Sequence, residues 1–283
     1  MKDIHYVLAN FFTHKDFLVT AAQIPGTLFT PLHLVFEAVL VALILASALW
    51  VSRHKKAIHP VLTGLWIALV VYEVVIIWWD NTAGSPAPFD WQTSLSLYPC
   101  SLFLYTLPVI LWGRGTAKQA AFGYVFTLGL LGALVNFLYP FTRLQDYSCL
   151  SFPAFHTFFF HGSMLFGFLV MLLSGMHGYT GVQKWQELFY PCIPSLLLSV
   201  PANLLNYTIG SDYMYFRGQF FLLKNLFGTT PEPVITLALY GLYICIPALF
   251  YLPSFLRRAI REEERYELES ALPELRFSWL FMG

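Results

Sequence analysis

The chain has 283 residues, 57% of them hydrophobic and only 11% charged, and its 16 basic and 16 acidic side chains give a formal net charge of zero. A water-soluble domain of this composition would expose too much apolar surface, and a neutral chain without a basic patch is not built to hold nucleic acid. The composition therefore specifies a membrane protein.

A helix needs roughly 20 mainly apolar residues to cross about 30 Å of hydrocarbon. Seven stretches qualify, near 30–52, 58–79, 92–112, 117–139, 153–174, 185–206 and 233–256. These runs are continuous rather than alternating, which excludes an outer-membrane barrel and predicts an all-α, polytopic bundle of about seven transmembrane helices. Residues 1–29 form an extracytoplasmic or interfacial segment, 30–256 the transmembrane domain and 257–283 a cytoplasmic or interfacial tail. Lys2, Asp3, His5, His14, Lys15 and Asp16 precede the first apolar run, the wrong order for a cleavable signal peptide.

Basic residues set the expected orientation. With the N-terminus outside, the inner set is Arg53, Lys55, Lys56, Arg114, Lys118, Lys184, Arg257, Arg258, Arg261, Arg265 and Arg276, against Lys2, Lys15, Arg143, Arg217 and Lys224 outside. That bias predicts N-out and C-in. The tail RRAIREEERYELESALPELRF places Arg and Glu one turn apart and reads as a solvated or interfacial helix.

Depth can be read along the spans at about 1.5 Å per residue. His33 begins the first span, Glu73 lies near the outer end of the second and Asn136 near the outer end of the fourth, while Asn203 and Asn206 end the sixth. Cys100 in LSLYPCSLFLYTLPVILW and His161 in FPAFHTFFFHGSMLFGF each lie eight residues into an inward-running span, at roughly 12 Å below the outer boundary. Polar groups are expensive in hydrocarbon, so their gathering at one depth predicts a cavity open to the outer leaflet. A thiol and an imidazole at one depth are the materials of nucleophilic acyl chemistry. His156 is about 140° around the helix from His161, so one of the two should face the cavity and the other a neighbour or the headgroups. Pro99 and Pro108 should kink the third span and release the Leu95 carbonyl.

Each feature has a plainer reading. Intramembrane His, Glu and Asn can stitch helices together, and a buried cysteine can be a small packing group. Cys192 and Cys245 fit that description, Cys149 is a loop thiol, and their different depths argue against disulfides. The sequence has no Gly-rich phosphate loop, zinc-type cysteine spacing or internal repeat, so no cofactor or metal is expected.

The segments FTPLHLVFE, LSLYPC, FPAFHTFFFHGSM and NYTIGSDYMYF, in this order and spanning most of residues 30–256, resemble the YwaF-type integral membrane proteins. These are similar to the transmembrane protein 164 acyltransferases and, more remotely, to the androgen-induced-gene lipid hydrolases. The resemblance implies an intramembrane acyl-transfer enzyme with Cys100 as nucleophile and His161 as its histidine, and a bacterial plasma membrane as its location. The chain departs from the family pattern at Tyr98, where a histidine is expected, at Asp212, where an asparagine is expected, and in RGQFFLLKN, which lacks the expected prolines.

On this reading an acyl-thioester forms on Cys100, with His161 moving the proton, and membrane phospholipid and lysophospholipid are the partners. Tyr98, Asn136, Asn203 and Asn206 are the candidate oxyanion donors, and Glu73 or His33 would orient His161 or bind a headgroup. A transporter or small-molecule receptor using Glu73, His33 and the asparagines is the alternative, and an interaction protein without chemistry is a third.

Overall fold

Lys2–Ala9 forms a short helix, α1, and the first long helix starts where the chain supplies its own cap. The Thr30 hydroxyl accepts the His33 N–H, and Pro31 follows at a position where its missing N–H is no loss. The computed structural model describes residues 2–19, 24–176, 185–218, 225 and 228–280. Lys184 and Lys224, which enter the charge argument above, lie outside the described residues.

Helix α2 runs from Pro31 to Arg53 and passes through the single residue His54 into α3, Lys55–Thr82. Helix α4 is Leu102–Trp112 and ends at Gly113. Helix α5, Gly115–Leu138, contains a π-helical stretch at Val125–Gly129. A one-turn helix α6, Phe141–Leu144, leads to α7, Phe152–Leu173. A 3-10 stretch at Trp185–Cys192 continues into α8, Ile193–Ile209, which Gly210 closes in the left-handed conformation that favours glycine. Helix α9 runs from Glu232 to Leu280.

Among the described residues six helices are long and apolar enough to cross a membrane, so the chain is an all-helical integral membrane protein. The third expected span differs. Residues 92–101 form turns, and only the eleven residues of α4 are helical. The kink expected at Pro99 is therefore absent, since that proline lies ahead of the helix, and Pro108 alone sits inside it. The apolar part of α9, Glu232–Leu256, continues as helix through the charged tail sequence.

The main core joins Leu62 and Leu69 of α3, Phe103 and Leu107 of α4, Phe122 and Tyr124 of α5, and Met164 and Val170 of α7 around Tyr213, Met214 and Phe216. Helices α2 and α3 leave Val35, Leu43, Val71 and Val74 exposed, the face a peripheral helix turns to hydrocarbon. Close approach of two elements is visible at Gly123, where an added Cβ would stand 2.6 Å from Pro191 Cγ.

Candidate functional site

The segment carrying Cys100 is non-helical inside a helical bundle, so its backbone polar groups need partners from other elements. The Tyr213 hydroxyl donates to the Trp91 carbonyl at 2.5 Å and accepts the Leu95 N–H at 3.1 Å. The Met214 N–H donates to Leu97 O at 3.0 Å, and the Tyr124 hydroxyl donates to Pro99 O at 2.8 Å. Asn206 holds the Tyr213 turn, and Tyr98 packs between the rings of Tyr213 and Tyr215, with centroids 5.5 and 5.3 Å away. Cys100 is thus delivered two residues ahead of α4.

A cavity of about 550 Å³ opens beside it. Its deeper wall includes Cys100, Tyr98, Thr157, Phe160 and His161, with Glu73 and Ile76 from α3 and His156 from α7. Its outer part is lined by His14, Lys15, Asp80, Asn81, Asp90, Arg143 and Tyr147. Cys100 and His161 therefore share one cavity, as their depths in the sequence predict.

The two histidines are held differently. His161 Nδ1 lies 2.8 Å from the Thr157 carbonyl oxygen. A carbonyl only accepts, so Nδ1 carries the proton and Nε2 keeps its lone pair. His156 Nε2 lies 2.8 Å from Glu73 Oε2, and the other Glu73 oxygen accepts the Ser96 hydroxyl at 2.5 Å. Both histidines line the cavity, contrary to the expectation that one would face away. The cavity borders α3 as well as the segment before α4, so a carboxylate from α3 meets the histidine on the other side of α7.

The outer rim is an ion-paired and aromatic ring. Arg143 makes a bidentate pair with Asp80, Nη1 to Oδ1 at 3.1 Å and Nη2 to Oδ2 at 2.6 Å. Tyr147 accepts the Lys15 N–H at 3.1 Å, and burial pushes its phenol up to about 12. The N-terminal segment is fastened here by the Ser85 N–H, which donates to Asp16 Oδ2 at 2.9 Å and holds that carboxyl below its ordinary value. The His14 ring packs at a tilt against Trp79, with centroids 5.5 Å apart, and the Phe152 N–H donates to Phe11 O at 2.9 Å.

The remaining expected site residues lie elsewhere. His33 is fully buried between α2 and α7, where its Nδ1 accepts the Phe29 N–H at 3.2 Å and its ring packs on Phe158. Its Nε2 approaches Glu37 Oε2 at 3.3 Å, too poorly aligned for a hydrogen bond. Asn136 is buried away from the cavity, and the Asn203 amide donates to the Tyr240 hydroxyl at 2.7 Å. Asn206 acts on the backbone at Tyr213. Of the expected substrate-binding residues, Glu73 and Tyr98 line the cavity and His33, Asn136, Asn203 and Asn206 do not.

Sequence reasoning passed over Tyr124, Ser96 and the Asp80–Arg143 pair. An acid and a base 63 residues apart show no local spacing, but a tyrosine just ahead of a π-helical turn is a recognisable pattern once that turn is seen.

These features define an integral membrane protein with a polar cavity built around a cysteine and two histidines. The chain belongs to the TMEM164 family, whose sequence profile matches residues 28–256. No curated protein and no solved structure matches it.

Proposed function

We propose that this chain is an intramembrane acyltransferase that moves a fatty acyl group of a membrane phospholipid through a thioester on Cys100. The observation that carries this reading is the shared cavity of Cys100 and His161, with the His161 proton fixed on Nδ1 and Nε2 left as the base. Nε2 takes the thiol proton as sulfur attacks the ester carbonyl, and returns it to the departing lysolipid oxygen as the C–O bond breaks. The acyl group then passes to a second lysolipid hydroxyl, or to water in a hydrolase. Tyr98, at the cavity wall, is the side chain positioned to donate to the developing oxyanion. By resemblance, the membrane is a bacterial plasma membrane.

Purified wild type, Cys100→Ala and His161→Ala in phospholipid vesicles, followed by turnover of labelled acyl chains, test the proposal. Loss of turnover in both variants supports it. Unchanged turnover in both refutes it, and solute uptake that depends on Glu73 and not on Cys100 replaces it with a transporter.

A further inference from the structure

Acyl transfer through a thioester has two halves that ask for bases of different strength. The first removes a proton from a thiol, whose ordinary pKa is about 8.5. The second removes one from an alcohol or water, whose pKa is about 15.7 in bulk water. A histidine whose imidazolium is stabilised by a carboxylate suits the second task better than one backed by a neutral carbonyl.

The deeper part of the cavity, beside Cys100, holds one histidine of each kind. His161 is backed by the Thr157 carbonyl and His156 by the Glu73 carboxylate, each contact measuring 2.8 Å. With Nε2 committed to Glu73, the His156 nitrogen left over to act as a base is Nδ1. Glu73 is fixed in turn by Ser96, which sits four residues before Cys100 in the same non-helical segment. The carboxylate thus joins α3, α7 and the nucleophile's segment at one point.

Resting on the acyl-thioester reading, we infer that His156 and Glu73 form a second acid–base pair, dedicated to the acceptor that discharges Cys100. Nδ1 of His156 takes the proton of the incoming hydroxyl as its oxygen bonds to the thioester carbonyl carbon. Glu73 stabilises the imidazolium so formed. The C–S bond then breaks, and the Cys100 thiolate recovers that proton from His156, which restores the resting thiol and neutral imidazole. His161 serves acylation and His156 serves deacylation, so losing either should stop turnover at a different stage.

The test loads the full-length protein with acyl groups in phosphatidylcholine vesicles and reads the Cys100 adduct by intact mass. His156→Gln and Glu73→Gln should still form the adduct but discharge it about 10²-fold more slowly, so that it accumulates. Hydroxylamine, a nucleophile that needs no general base, should strip the adduct from both variants at the wild-type rate, which damage to packing would not permit. Ser96→Ala, which removes the second hold on Glu73, should give an intermediate rate and serves if the other variants fail to fold. Discharge at the wild-type rate in the variants, or slow discharge that hydroxylamine leaves slow, overturns the second pair alone. No adduct on wild-type protein overturns the thioester reading on which it rests.

Discussion

Asn206 grips the peptide of Tyr213 from both sides, its Oδ1 accepting the Tyr213 N–H at 2.7 Å and its Nδ2 donating to the Tyr213 carbonyl at 2.9 Å. Asn206 is 2% exposed, so replacing it with leucine strands a donor and an acceptor where water is scarce. Asn206→Leu should lower stability by about 2–4 kcal/mol, read as a fall in the unfolding midpoint in detergent. Tyr213→Phe keeps the ring and removes only the hydroxyl that satisfies Trp91 O and Leu95 N–H. Its stability loss should be nearer 1 kcal/mol, while Cys100 modification by a thiol reagent accelerates as its segment loosens.

Two glycines should respond oppositely to alanine. At Gly123 the new Cβ would meet Pro191 at 2.6 Å from Cγ and 3.0 Å from backbone Cα, so α5 and the 3-10 stretch must separate. That should destabilise by about 1–3 kcal/mol. At Gly64, inside α3, nothing lies within 4 Å of the new atom, and relief of helical glycine's backbone entropy should stabilise by up to about 1 kcal/mol. Paired thermal melts decide both.

The Arg143–Asp80 pair is part-buried and bidentate, the geometry in which ion pairs couple measurably. A double-mutant cycle with Arg143→Met and Asp80→Asn should give a coupling of about 1–3 kcal/mol. Additive losses would show that the rim does not depend on the pair.

Asp16 anchors the N-terminal segment to the Ser85 amide, and its carboxyl is lowered from the ordinary value of 3.8 chiefly by that bond. A depressed carboxylate stabilises the docked segment fully above its unfolded value and loses that contribution as pH falls through the folded one. Hydrogen exchange at Ser85 should therefore be slower in wild type than in Asp16→Asn at neutral pH. The difference should vanish below the usual carboxylate range, and a gap that persists in acid would contradict this.

The long helices were legible because runs such as 30–52 and 153–174 leave no other physical option, and their observed limits, Pro31–Arg53 and Phe152–Leu173, differ by one residue at each end. Residues 92–112 also read as a mainly apolar run, yet about half of them are not helical. Tyr213, Tyr124 and Met214 satisfy that backbone from distant parts of the chain, and no local pattern announces such partners. Depth counting paired Cys100 with His161, which share the cavity, although the helical rise it assumed does not hold for residues 92–101. It drew in His33, Asn136, Asn203 and Asn206 as well, because depth says nothing about rotation around the bundle. The Glu73–His156 contact was hidden because the position of a residue along one helix does not say which neighbouring helix its side chain meets.

The brevity of α4 has a further consequence. Eleven helical residues reach only about 16 Å, roughly half the thickness of the hydrocarbon, so α4 does not cross it alone and Cys100 stands two residues ahead of its start. Under the acyl-transfer proposal such a site would have sidedness: a lipid ester would reach Cys100 from the monolayer at the cavity mouth, one from the opposite monolayer would first have to be flipped, and the two halves of the bilayer would be remodelled unequally.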